Sequence, residues 1–159
     1  MDREHYTKDM PEHIEKIRAQ VARISASEEI CQQAMQLIME IVESFNSVVI
    51  IDANDIRDSL DSDGTLAVND IRISAKENDR MKELVGQIEK KIENNAKVKN
   101  LLFHLFFPEE LPLQMSELQP LSDWLSAFQS DTDFKVRWGM AATSHSPEPL
   151  LRAIVLAVT

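Results

Sequence analysis

The stretch VKNLLFHLFF, Val98 to Phe107, decides the fold class. Leu101, Leu102, Phe103, Leu105, Phe106 and Phe107 make it almost continuously apolar, and Pro108 stops it. A run so short and so unbroken reads as a strand buried on both faces, which requires helices packed on a sheet. The neighbouring segments supply them. Upstream, Met81, Leu84, Val85, Ile88 and Ile92 mark a long amphipathic helix ending near Asn94-Asn95. Downstream, Ser116 caps another, with Leu118, Leu121, Leu125 and Phe128 inward and Pro120 tolerated in its first turn. Then Phe134, Val136, Trp138 and Met140 alternate with Lys135, Arg137 and Gly139, the pattern of a strand with one wet face. After a polar loop, Ser144 to Pro149, the segment Leu150 to Val158 is apolar apart from Arg152 and reads as a final central strand.

The first half is more helical. Pro11 begins a pattern in which Ile14, Ile17, Val21 and Ile24 recur at three and four. Ser25-Ala26-Ser27-Glu28 fits an S-x-x-E capping box and starts a second helix. Its stripe is Ile30, Ala34, Leu37, Ile38, Ile41, Val42 and Phe45. The two helices are separated by a short break or form a single bent helix. In VVIIDANDIRD, Val48 to Asp58, four apolar residues end in Asp52, and Asp55 and Asp58 follow at helical spacing. Asp63-Gly64 signals a turn. Leu66 to Ile73 is strand-like, but Asn69 and Asp70 interrupt it and predict a bulge or an early end. Right-handed crossovers make the first three strands largely parallel. The short loop between the last two predicts an antiparallel hairpin.

With 159 residues, 43% of them hydrophobic, the chain is sized for one domain that buries about 70% of its unfolded surface. Its net charge of −10 repels phosphate backbones and anionic lipid, which argues against nucleic acid and membrane partners. Basic patches are short: Lys90-Lys91 and Lys97–Lys99. Cys31 is the single cysteine, so no intrachain disulfide forms, which fits a reducing cytoplasm. The first residues lack a signal-peptide core, and no apolar run approaches the ~20 residues of a membrane span. A cytoplasmic location is expected.

The order of elements and three local sequences resemble the C-terminal domain of FtsZ, the tubulin-like bacterial cell-division GTPase. QAMQLIMEIVESFNSVVIIDANDIRDSL is similar to the end of that family's central helix, its catalytic loop and the next helix. KNLLFHLFFPEELPLQMSELQPLSDWLSAF is similar to its next strand, loop and helix. FKVRWGMAATSHSPEPLLRAIVLAVT, with Gly139, resembles its closing hairpin. The resemblance runs from about Ile30 to Thr159 and rests on order and spacing rather than on one motif. It implies an α/β two-layer sandwich: a four-stranded, mostly parallel sheet packed by helices near 80–94 and 116–129. The helix near 26–45 would lie along the domain. It divides the chain into an extra helical segment, 1–29, and an FtsZ C-terminal-like domain, 30–159. The helix at 11–24 is expected to fold back over the surface that meets the GTPase domain in the family. Glycines occur only at 64, 86 and 139, so no glycine-rich phosphate loop is present. A GTPase domain and the family's partner-binding tail are expected to be absent.

The resemblance also bears on the acidic residues. Asp52 and Asp55 match the pair that FtsZ projects into the nucleotide site of the next filament subunit, where acids orient the attacking water. Ile50 stands where the family has asparagine, and Asn54 where it has a small residue. Read by themselves, Asp52 is a good N-cap and Asp55 favours the helix dipole. The expectation is a non-catalytic interaction module that uses a loop of Asp52, Asn54 and Asp55. It binds or caps a tubulin-like filament, or associates with itself. The alternative is an acid pair, Asp52 and Asp55, that hydrolyses or completes a nucleotide site supplied by another chain. No cofactor and no metal are expected. Asp58, Asp61 and Asp63 before Gly64 miss the calcium-loop pattern and read as a solvated turn. His104 reads as a hydrogen-bonded core residue, and His5, His13 and His145 lack metal spacing. Cys31 and Trp138 read as core. Trp124 is a contact candidate weighed against ordinary edge packing.

Overall fold

The computed structural model describes residues 9–44, 46–92, 98–128 and 134–159, and among them the apolar periodicities set out above become four helices and four strands, joined by a short helix and a short edge strand. The readings at His5, Phe45, Asn94-Asn95, Lys97 and the Phe128 side chain lie outside the described residues. The helices are α1 (Met10–Ile24), α2 (Glu28–Val42), α3 (Ala53–Leu60), α4 (Arg80–Ile92) and α5 (Gln119–Phe128). The strands are β1 (Asn46–Val49), β2 (Leu66–Ser74), β3 (Asn100–Pro108), β4 (Lys135–Thr143) and β5 (Leu150–Val158).

Local chemistry sets the helix ends. α1 stops at Ser25, whose extended backbone ends the helix and whose Oγ donates to the Val21 carbonyl at 2.6 Å. The N-cap of α2 is Ser27, which accepts from the Ile30 N–H at 3.2 Å. The capping serine therefore sits two residues beyond the expected Ser25, because Ser25 is already engaged by α1. The expected break between the helices is present. α5 is preceded by a 3₁₀ turn over Met115–Leu118, with Pro120 in its first turn.

The strand order is β1-β4-β3-β5-β2. β2, β3 and β4 run in one direction, as the crossover rule requires, but only β3 and β4 pair in parallel. β4 and β5 do not form the expected hairpin. β5 inserts between β3 and β2, antiparallel to both. The reason lies in its composition: from Leu151 to Val158 every residue but Arg152 is buried, and only a central position covers both faces of such a strand. The short β1, antiparallel to β4, adds a fifth strand to the expected four. β2 is continuous from Leu66 opposite Val158 to Ser74 opposite Leu150, so the expected interruption does not occur. Asp70 is tolerated there because the Arg152 guanidinium on the neighbouring strand binds it at 2.8 and 3.0 Å.

Both faces of the sheet are covered, which makes three layers rather than the expected two. α4 and α5 bring Leu84, Ile88, Leu121 and Trp124 onto Phe103, Leu105, Leu151 and Val155. On the opposite face α1, α2 and α3 bring Ile17, Val21, Ile38, Ile41 and Ile56 onto Leu102, Phe106, Ile154 and Leu156. α1 folds back onto α2 and α3, with Ile17, Val21 and Ile24 buried and Ile14 half-buried beside them. Trp124 is buried, edge-on to Phe103 at 6.1 Å, so it is core rather than a contact. Trp138 stacks on the same ring at 6.0 Å and is half-buried, and so is Cys31.

Candidate interaction site

Asp52, Asn54 and Asp55 sit where the chain leaves the sheet edge and enters α3. β1 pairs with β4 through Asn46–Ala142 and Ser47–Ala141, then through Val49–Met140. The register slips by one residue, so Val48 is the extra residue of a bulge, a device that re-aims a side chain. Val48 is 62% exposed, and Ile50, two residues on, is 49% exposed. Ile51 turns the other way and is buried. It can do so because Gly139 lies beneath it: a Cβ there would meet Ile51 Cγ1 at 2.7 Å and the Val49 carbonyl at 2.9 Å.

The two aspartates satisfy each other's backbone. Asp52 Oδ1 accepts from the Asp55 N–H at 2.8 Å, and Asp55 Oδ2 accepts from the Asp52 N–H at 3.1 Å, a reciprocal capping box. Arg137 reaches across from β4 and places its guanidinium 3.5 Å from Asp55 Oδ1 and 3.3 Å from Asp58 Oδ2. Burial raises the pKa of Asp55 above the usual aspartate value. The backbone hydrogen bond from Asp52 opposes that rise, the Asp52 charge adds to it, and the Arg137 charge opposes it. Asn54 is exposed and free to face a partner, while Asp52 and Asp55 are half-buried. Beside the loop, Gln20, Asn54, Arg57, Asp58 and Asp61 line a cleft of about 250 Å³. Gln20 Nε2 donates to the Arg57 carbonyl at 3.0 Å, and His13 Nδ1 lies 3.2 Å from the Arg57 guanidinium.

The sequence reading placed Arg137 on a wet strand face with no role. Nothing local could have found it, since its partners lie about 80 positions away in the chain. The other candidates disperse. Asp58 turns to Arg137, Asp61 ends α3, and Asp63 pairs with Arg23 at 3.0 Å. His145 lies 3.3 Å from Glu110 at the opposite end of β4. Among the described residues no group of three or more His, Cys, Asp or Glu could hold a metal ion. No described helix is long and apolar enough to cross a membrane.

His104 is buried as expected but is not the hydrogen-bonded core residue anticipated. Its ring lies 4.5 Å from that of Phe106, and its Nδ1 has no hydrogen-bond partner. Burial, aided by the Arg152 charge, lowers its pKa to about 4. Arg152 lies 5.4 Å over the Phe106 ring and holds Glu40 at 2.8 and 3.0 Å as well as Asp70. Burial acts to lower the Arg152 pKa, but the hydrogen bonds to Glu40 and Asp70 outweigh it and raise the pKa. Another cleft, of about 810 Å³, opens elsewhere, at the ends of β2 and β3 near Lys76, Asn78 and Gln114. Its buried Arg80 is fully engaged by the Ala75 and Pro112 carbonyls and by Glu117.

No protein-family profile and no curated protein sequence matches the chain. Solved structures do. A single-substitution variant of FtsZ from M. jannaschii superposes with a TM-score of 0.56 at 15% identity, over 84% of this chain and 41% of that one. An empty FtsZ dimer from the same organism gives 0.54 at 16% identity, over 83% of this chain and 39% of that one. This chain thus spans about two-fifths of the proteins it matches, and its mixed α/β fold is the one found in that part of FtsZ.

Proposed function

We propose that this chain is a non-catalytic protein-interaction module that docks through Val48, Ile50, Asp52, Asn54 and Asp55 onto a tubulin-like filament of the FtsZ type. One observation carries the reading: two large apolar side chains, Val48 and Ile50, stand exposed directly before a pair of carboxylates already committed to a capping box. Exposed apolar groups rimmed by polar residues suit a protein partner. Carboxylates that bond each other's backbone, one of them, Asp55, also facing the Arg137 guanidinium, are poorly placed to take a proton from water. The fold shared with FtsZ, one of whose structures is a dimer, supports a partner of that kind.

The test is co-sedimentation with an FtsZ-type protein from the same cell, with filament length and GTP turnover followed together. Docking is expected, and Ile50→Asp should weaken it because a charge would enter the apolar contact. Asp52→Asn and Asp55→Asn should leave binding and turnover nearly unchanged. A drop in stimulated turnover with binding intact would favour the acid pair acting on a partner's nucleotide. No co-sedimentation and no change in filament length, with this chain in excess, would dispose of the filament partner.

A further inference from the structure

The sheet has two edges, and the proposed docking loop uses only one. At the other edge lies β2, nine residues long, paired along its full length with β5 and, among the described residues, with no second strand on its outer side. A strand of this length presents a row of backbone donors and acceptors that another strand can bond. We propose that β2 is the contact through which two copies of this chain join, antiparallel about a two-fold axis through Ile71.

The charges on the strand select that partner and that register. Asp70 and Arg72 lie on the same face, and Arg72 now folds back to Asp70 of its own strand at 2.9 Å with its side chain 52% exposed. In an antiparallel self-pairing centred on Ile71, Asp70 of each copy stands opposite Arg72 of the other. Both ion pairs are then exchanged between chains rather than lost. Cross-strand opposite charges favour such pairing, and like charges directly opposite disfavour it. Moving the centre to Asp70 sets Asp70 against Asp70, and moving it to Arg72 sets Arg72 against Arg72. Only the Ile71 register is complementary. It also aligns Val68 with Ser74 and Asn69 with Ile73, so seven residues of each strand pair.

Asp70 is held in place for this role by Arg152 at 2.8 and 3.0 Å, and Arg152 is anchored in turn by Glu40. The acceptor is therefore rigid, while the donor, Arg72, has the length to cross to a second chain. Joining through β2 leaves β1 and its loop at the two far ends of a ten-stranded sheet, so self-association and filament docking use separate surfaces and fail separately.

Analytical ultracentrifugation of the full chain from about 1 µM to about 500 µM tests the proposal by mass action. A monomer–dimer equilibrium is expected. Arg72→Asp should weaken it at least about tenfold by placing carboxylates opposite carboxylates, whereas Arg72→Lys should retain it. Both substitutions fall on an exposed side chain, and circular dichroism confirms that each variant folds. Hydrogen exchange should show concentration-dependent protection over 66–74 and none over 46–49. A monomer throughout the range, an R72D chain that dimerises like the parent, or protection gained at β1 instead of β2 would each overturn it.

Discussion

At the residue scale, His104 offers a clear link between burial and pH. Its pKa falls from 6.5 to about 4 in the fold, chiefly because burial disfavours the charged ring. The unfolded chain therefore binds a proton that the folded chain refuses. The stability contributed is complete above pH 6.5 and is lost as pH falls towards 4. At about 1.4 kcal/mol per pH unit the loss amounts to roughly 3 kcal/mol. Thermal melts between pH 7 and 4 should show the parent losing stability in this window and His104→Leu losing distinctly less. Asp70 acts lower on the scale. Burial would raise its pKa, but the hydrogen bonds from Arg152 and Arg72 outweigh this and lower it, so its contribution disappears only as pH falls below the ordinary aspartate range. The glycines give a second pair of expectations. Gly139→Ala drives a Cβ against Ile51 and the Val49 carbonyl and should cost about 1–3 kcal/mol in denaturant unfolding. Gly86→Ala, in the middle of α4 with open space around it, should stabilise by about 0.5–1 kcal/mol.

At the scale of elements, α3 and α1 carry the informative contrasts. α3 has only eight residues, too few to persist without its cap and its packing. Asp52→Ala removes the acceptor for the Asp55 N–H and should cost about 1 kcal/mol, while Asp52→Asn keeps it and should cost only a few tenths. A full loss of stability in the asparagine variant would show that the charge, not the cap, matters there. α1 buries Met10, Ile17, Val21 and Ile24 against α2 and α3. Each such side chain contributes about 1.5–3 kcal/mol. Removal of residues 1–25 should therefore yield an aggregating or unfolded chain, and light scattering of the purified truncation decides this. A soluble, equally stable monomer would mean that α1 is dispensable.

At the scale of the whole molecule, the sequence has no glycine-rich stretch of the kind that cradles phosphate. The three glycines stand apart, at 64, 86 and 139, with one of them inside α4. Gly64 serves a close approach, since a Cβ there would overlap the Thr159 carbonyl, and Gly139 serves the crossing of Ile51. Neither opens a loop towards a ligand. Isothermal titration of the chain with GTP should detect no tight stoichiometric binding. Saturable binding at micromolar GTP would require a phosphate site built from other elements and would reopen the acid-pair reading of Asp52 and Asp55.

What was legible in the sequence is what depends on neighbours a few residues apart. Period and run length identified α1, α2, α4, α5, β3 and β5, since amphipathic spacing and unbroken apolar runs are properties of the chain alone. The N-cap role of Asp52 was equally local, and the structure shows it as a reciprocal box with Asp55. Apart from the cap of α2, which falls on Ser27 instead of Ser25, the departures concern contacts between distant segments. The apolar run of β5 already marked it as a central strand, but its pairing with β3 and β2 instead of a hairpin with β4 was a choice the short loop before it could not reveal. The continuity of β2 depends on Arg152 neutralising Asp70 from 82 positions away. The third layer exists because α2 and α3 pack on the second face of the sheet, and α1 folds back onto them to bury a stripe that any large apolar surface would have accepted. Arg137 became part of the loop, and Val48 was thrown outward by a bulge, only once β1 paired with β4. Local hydrogen bonds and periodicity are written in consecutive residues; the choice of partner is settled by which distant surfaces and charges complement each other once the chain is folded.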